Sequence, residues 1–412
     1  MTAATVAPPG AVPVGHPGHR PGTPAYRRSL FALFCAGVAT FAALYVVQPL
    51  LPTLGRAFDR SPAQASLSLS VSTLTLALAI LPVSRLSERY GRGRVLAVSL
   101  LFTGLFGLVV AASTSWPELL LLRAVQGVAL AGIPAVALAW VAEEMHPDAV
   151  SRAGGLYVAG TTIGGMSGRL VGGGLAELGG WRTALLGIGV LSLVCAAACV
   201  RLLPASRSAL SGGAAAARTV APVSVRLRLY LIGGLAMAAF VGVYNVLGYR
   251  LEAAPYALRP GVAGLVFLAY LAGTWSSARG GRLAGDRGMR FAIGVGVAAA
   301  LAGVALTLAR PLPLVIAGVA LMTAGFFAMH AVASSNVARL APRPSAAAGR
   351  YLLCYYLGSS LGGPLLGQAW TSGGWSATAA VAAALFAAAG VAAAVRYRGQ
   401  GVPVSRPAAA RG

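Results

Sequence analysis

Long apolar runs recur along the whole chain, and its charged residues gather in the short gaps between them. Around the stretch SRLSERYGRGR, residues 84 to 94, lie ASLSLSVSTLTLALAILPV upstream and VLAVSLLFTGLFGLVVAAS downstream, both free of charge. A bilayer core of about 30 Å is crossed by about 20 apolar helical residues, because no water there satisfies exposed N–H and C=O groups. This spacing restricts the chain to an all-α membrane protein.

Composition agrees with that restriction. Only 10% of the residues are charged and 57% are hydrophobic, against about 25% charged in soluble domains. The formal net charge is +23, and every basic residue is an arginine. A nucleic-acid surface needs its basic residues on one folded face. Here they sit in gaps between apolar segments, which excludes nucleic acid as a partner and points instead to a topology signal. Cys35, Cys195, Cys199 and Cys354 lie within apolar runs without paired spacing, so neither a disulfide framework nor a metal site is indicated.

Twelve spans are expected, at 29–51, 62–84, 94–113, 117–142, 151–175 and 181–203, then 229–250, 261–279, 290–309, 312–338, 347–370 and 375–395. The division is therefore a disordered cytoplasmic tail at 1–28, a six-helix bundle at 29–203, a Ser/Ala/Gly/Arg-rich linker at 204–228, a second bundle at 229–395 and a tail at 396–412. The run after the first arginines is too long for the core of a signal peptide. Arginines mark the cytoplasmic side of a membrane protein. With the N-terminus inside, 24 arginines fall on that side and six on the other, while Arg123 and Arg169 fall within spans. Both termini are expected in the cytoplasm.

The halves echo one another. Ser84 to Gly91 (SRLSERYG) matches Gly281 to Gly288 (GRLAGDRG) at an offset of 197. Gly179, Gly180 and Trp181 match Gly373, Gly374 and Trp375 at an offset of 194, and Gly164 and Gly168 carry to Gly358 and Gly362 at that same offset. Two pseudo-symmetric bundles follow, with a binding cavity expected at their interface near the mid-membrane.

These residues resemble the major facilitator superfamily of secondary transporters over nearly the whole chain. Ser84, Leu86, Glu88, Arg89, Gly91, Arg92 and Leu96 are similar to the family's motif between helices 2 and 3, with Ser84, Glu88 and Gly93 departing from the usual glycine, aspartate and basic residue. The second copy keeps Gly281, Leu283 and Gly288 and moves its acid to Asp286, beside Arg287. LLLLRAVQG at 119–127 resembles the helix 4 motif, and GTTIGGMSGRLVGGG at 160–174 the glycine-rich helix 5 motif of drug-efflux branches. LYVVQPLLP, FFAMHAVASSNVAR and YLLCYYLGSSLGG look like the bacterial drug:proton antiporter branch that includes arabinose-efflux-like permeases. The resemblance implies a major facilitator fold and a conformational latch formed by Glu88, Arg89, Gly91, Arg92, Asp286 and Arg287. In that latch, Glu88 lies near a helix N-terminus and meets arginines of the other half when the cytoplasmic side is shut.

Site candidates follow. An arginine inside a span costs at least about 2.5 kcal/mol to insert and marks function by default, which singles out Arg123 and Arg169, with Gln126 on the face of Arg123. Helices 1, 4, 7 and 10 line the centre of the resembled fold, adding Tyr45, Gln48, Tyr244, Asn245 and His330 to the substrate and proton pathway. All nine acids sit in loops or at span ends, so a proton carrier within the membrane falls to His330, whose ordinary pKa lies near neutrality. Arginines without buried acids favour neutral or anionic substrates. Gly160, Gly164, Gly168 and Gly172 recur every four residues and form a small-residue packing face, expected to meet the other bundle.

The sequence therefore reads as a monomeric secondary transporter that exports a small organic molecule by alternating access, coupled to protons and using no cofactor. An importer or facilitator without proton coupling is the alternative, and a polytopic membrane enzyme a more distant one that would need clustered catalytic side chains. A fluorescent protein fused to either end of the chain is expected to fold and emit in the cytoplasm. Loss of emission at one end would overturn the arginine-based topology.

Overall fold

The computed structural model describes residues 18–204 and 221–394. In the first half lie α1 (Pro24–Tyr45), α2 (Leu51–Phe58), α3 (Pro62–Tyr90), α4 (Arg92–Ala111), α5 (Trp116–Leu130), α6 (Gly132–Glu144) and α7 (Pro147–Leu202). The second half holds α8 (Val223–Glu252), α9 (Pro260–Gly264), a 3-10 turn at Leu265–Ala269, α10 (Tyr270–Arg287), α11 (Met289–Leu306), α12 (Leu312–Arg339) and α13 (Pro344–Ala394). Several helices begin as their sequences dictate, with proline at the first position, where its missing N–H costs nothing. Thr23 caps α1 ahead of Pro24, and Ser61 and Gln64 form a reciprocal capping box around Pro62.

Among the described residues, ten helical stretches are long and apolar enough to cross a membrane, with α5 and α6 running together as one. Two are too long for a single crossing: α7 has 56 residues and α13 has 51. Each folds at a glycine pair expected from the repeat. Gly179 and Gly180 adopt φ/ψ of −152°/20° and 78°/−176°, and Gly373 and Gly374 adopt −155°/21° and 62°/−150°. Positive φ at the second glycine suits a residue without Cβ. Leu175 and Gly187 face each other across the first fold, and Trp370 and Trp375 meet edge to face across the second.

The stretch SRLSERYGRGR is not a loop. Helix α3 runs through Tyr90 and α4 starts at Arg92, so Gly91 alone, at φ 91°, caps both. Gly288, at φ 89°, does the same between α10 and α11. The repeat matched in sequence is thus a repeat of one backbone turn. Glu88, expected beside a helix N-terminus, instead occupies the last turn of α3.

The glycine stripe of α7 packs within its own half. A methyl group at Gly160, Gly164 or Gly168 would overlap backbone atoms of Phe34, Val38 or Ala42 in α1, and one at Gly172 would press on Val46. Gly358 and Gly362 of α13 meet Gly234 and Ala238 of α8 in the same manner. The expectation of a stripe between bundles is corrected: backbone approaches this close suit a permanent contact, here between the first and fifth crossings of one half. Between halves, α13 runs along α3, where Thr73 and Ser360 share a 2.9 Å hydroxyl contact and Gly363 and Gly367 face Ser66 and Ala63.

The expected disordered tail is also shorter than 1–28. His19 stacks on Trp140 with ring centroids 6.5 Å apart, and its backbone N–H donates to the Glu144 carbonyl at 2.8 Å, so the chain is held from Gly18 onward. Residues 1–17, 205–220 and 395–412, which carry most of the expected tails and linker, lie outside the described residues.

Gly164→Ala is expected to destabilise the protein by about 1–3 kcal/mol, the cost of overpacking a tight contact. Gly174→Ala, on the same helix with open space around it, is expected to be neutral or stabilising. Thermal melts of the detergent-solubilised variants check the pair.

Candidate substrate cavity

The helices alternate in direction, so the bundle has a near face, where α1 begins, and a far face, where α7 and α13 fold back. At the far face the halves are joined. Arg56 pairs with Glu252 at 3.0 Å, the Tyr249 hydroxyl donates to the Leu51 carbonyl at 2.8 Å, and the Gly261 N–H donates to Glu177 at 2.9 Å. Deeper in, the Gln48 amide donates to Asn245 Oδ1 at 2.6 Å. Those two residues are 197 apart, which is the repeat offset. Equivalent positions touch each other only on the axis that relates the halves.

Below this closure, toward the near face, lies a cavity of about 800 Å³ between the halves. Its walls are largely aromatic and apolar: Tyr45 from α1, Phe240 from α8, Tyr270 from α10, Phe327 from α12, and Tyr355 and Tyr356 from α13. Thr274, Ser277, Ser334 and His330 add polar edges. Phe240 anchors one wall by stacking on Phe326 at 3.9 Å between centroids and 8° between planes. The His330 ring lies 4.7 Å from that of Tyr355, and its Nδ1 lies 2.9 Å from the Tyr351 hydroxyl.

The two arginines expected as site residues are both buried, at 0% and 1% exposure, yet they differ in role. Arg123 does not line the cavity. Its Nε donates to the Ser68 carbonyl at 2.9 Å, Nη2 to Leu44 at 2.9 Å, and Nη1 to Ala43 at 3.1 Å and to Gln126 at 2.6 Å. The carbonyls of the last turn of a helix have no helical partner, and Arg123 supplies one where α1 ends at Tyr45. Gln126 in turn donates to the Thr103 carbonyl at 3.0 Å, so this pair braces the first half.

Arg169 does line the cavity. Its Nε donates to Gln48 Oε1 at 2.5 Å, Nη1 donates to the Gly165 carbonyl, and the guanidinium lies 3.9 Å from the Tyr45 ring centroid and 4.6 Å from that of Tyr270. Tyr45 and Tyr270 belong to different halves, so one cation bridges both by contacts with ring faces. Nη2 is buried without a hydrogen-bond partner.

Of the other expected residues, Tyr45 and His330 face the cavity, while Gln48 and Asn245 form its closed end. Tyr244 sits behind the wall, bonded to Thr323 at 2.8 Å and stacked on Phe267. Helices 8, 10 and 11 of the expected twelve supply lining residues that the sequence reading missed, Tyr270, Phe327, Tyr355 and Tyr356 among them. Their signal was present as the aromatics in AYLAG, FFAMH and CYYLG, but lipid-facing aromatics look the same in sequence. The latch residues are not brought together. Glu88 and Asp286 are exposed, Arg92 pairs with Glu143 of its own half at 2.7 Å, and Arg89 and Arg287 lie over the neighbouring rings of Tyr90 and Phe291.

Comparison with known proteins gives a consistent family. The Major Facilitator Superfamily pattern matches residues 33–363. The inner membrane transport protein YnfM of Escherichia coli strain K12 is 40% identical over 381 residues, which cover 87% of this chain and 88% of YnfM. The uncharacterized MFS-type transporter YybF of Bacillus subtilis strain 168 is 37% identical over 363 residues, covering 86% of this chain and 90% of its own. Among solved structures, a bacterial homologue of the human lysosomal transporter Spinster, in an inward-facing and occupied conformation, shares the fold. Its TM-score is 0.73 at 18% identity, covering 90% of this chain and 94% of that one.

Arg123→Lys keeps the charge but not the forked donors, leaving carbonyls of α1 without partners at about 1–3 kcal/mol each. It is expected to lower the melting midpoint clearly, whereas Tyr45→Phe, on the cavity wall, leaves it unchanged. Equal melting of the two would contradict the bracing role of Arg123.

Proposed function

The chain belongs to the Major Facilitator Superfamily of membrane transporters, and from that premise we propose that it exports a small organic molecule across the bacterial inner membrane by proton-coupled antiport. It is a multi-pass membrane protein and a transporter rather than an enzyme. The observation that carries the reading is the central cavity, shut at the far face by contacts between halves and extending toward the near face. Such a site, reached from one side at a time, is what rocking of two repeats requires.

In this reading the two folded helices cross twice each, giving twelve crossings in two six-helix bundles joined by the linker, and the protein works as a monomer. The near face is cytoplasmic, in keeping with the arginine asymmetry, and the conformation is inward-facing. Glu88, Arg89, Arg92, Asp286 and Arg287 then form a latch that engages when the near face closes, and their separation here is the open position. The branch is that of drug:proton antiporters with arabinose-efflux-like relatives, as the motifs on α3, α5 and α7 suggest. His330 is the proton site: it borders the cavity and shares a hydrogen bond with Tyr351, while none of the acids lines the walls.

A deletion strain screened against drugs, sugars and organic acids identifies a transported compound. In proteoliposomes, a proton gradient is expected to drive that compound uphill, and His330→Gln to abolish the driven uptake while sparing counterflow. Counterflow indifferent to the gradient in the unaltered protein would point to an importer or facilitator instead.

A further inference from the structure

The walls of the cavity carry one formal charge among the described residues, that of Arg169, and no carboxylate. The guanidinium is fixed on three sides. Gln48 accepts from Nε at 2.5 Å and is itself tied to Asn245 at 2.6 Å. The Gly165 carbonyl accepts from Nη1, and the ring faces of Tyr45 and Tyr270 lie at 3.9 and 4.6 Å. The fourth side, Nη2, is buried with no acceptor.

A buried cationic donor without a partner is costly, more so than a neutral one. Arg123 shows that this chain satisfies a buried guanidinium where the role is structural: each of its three nitrogens donates. Arg226 Nη1 is also without an acceptor, but of these two arginines Arg169 alone lines the cavity. We propose that the transported molecule is an organic anion, a carboxylate or sulfonate on an aromatic body, and that Arg169 Nη2 binds its anionic group. The proposal rests on the transporter reading and names its substrate class.

Shape and chemistry agree with that class. A cavity of about 800 Å³ falls in the range that encloses a small organic ligand. Phe240, Phe327 and Tyr355 offer ring faces and edges to an aromatic body, while Thr274 and Ser277 can hydrogen-bond its substituents. An organic cation would find no carboxylate among these walls and would meet the Arg169 charge at short range. An anion supplies the acceptor that Nη2 lacks and the counter-charge that the cavity lacks, at one position.

The test uses the full-length protein in detergent, with benzoate and benzenesulfonate against benzamide and benzylamine as probes. The two anions are expected to raise the melting temperature saturably, and the amide and amine to leave it unchanged. Arg169→Gln is expected to weaken anion binding roughly tenfold or more, the worth of a charge-assisted hydrogen bond, while Gly174→Ala, outside the cavity, retains it. Stabilisation by amide or amine equal to that by the anions, no stabilisation by either anion at millimolar concentration, or full anion binding by Arg169→Gln would each overturn the proposal. If Arg169→Gln fails to fold, the comparison of anion with amide on the unaltered protein decides alone. A second arm follows labelled benzenesulfonate, which stays ionised, into proteoliposomes. Arg169-dependent binding without flux would overturn the transport reading and keep the anion site. Flux of benzylamine or benzamide without preference for the sulfonate would do the reverse.

Discussion

Inside a membrane protein a polar group must find its partner within the protein, because lipid offers none. Much of this structure follows from how that demand is met. Arg123 answers it by turning inward onto the carbonyls that α1 releases where it ends, so a charge that is costly to insert becomes the cap of a broken helix. The break frees the chain to turn through Gln48 and Pro49 into α2, and that turn puts Gln48 on the axis between halves. Arg169 meets the demand only in part, with its remaining nitrogen beside the cavity. The same residue type, at similar burial, thus braces helices in one place and lines the cavity in the other.

Packing divides along the same lines. Within each half, helices touch backbone to backbone: α7 on α1 and α13 on α8, through glycines that leave no room for a methyl group. Between halves, α13 lies along α3, with Gly367 close to the backbone of Ala63 and a hydroxyl contact between Thr73 and Ser360, and a few polar pairs join the far face. The Arg56–Glu252 pair is exposed on one side only, its arginine side chain 63% and its glutamate side chain 11% in solvent.

Much of the fold was legible in the sequence. Membrane crossings follow from apolar length, and the glycine pairs at 179–180 and 373–374 were found by their offset before their shared geometry was known. Arg169 emerged as a site candidate because charge is rare within spans, and Tyr45 and His330 because they lie on helices that line the centre of the resembled fold. Other roles stayed hidden for physical reasons. A glycine stripe shows that some backbone comes close but not which, so the partner of Gly164 was assigned to the wrong half. Arg123 and Arg169 are equivalent in sequence terms, because the acceptors that separate them are backbone carbonyls more than 50 residues away. Tyr270, Phe327 and Tyr355 sit in helices whose lipid-facing and cavity-facing sides are equally apolar.

The sequence alone determined that the chain crosses a membrane many times, that its two halves are copies of one plan and that its charge is lopsided. All three depend on local composition and on repetition, which a linear string records directly. Tertiary structure decided which arginine braces and which faces the cavity, which helices pack permanently and which merely touch, and which face of the bundle is shut. Those outcomes depend on the meeting of groups far apart in the chain, and in a protein apolar on every helical face no periodicity marks the side that will be inside.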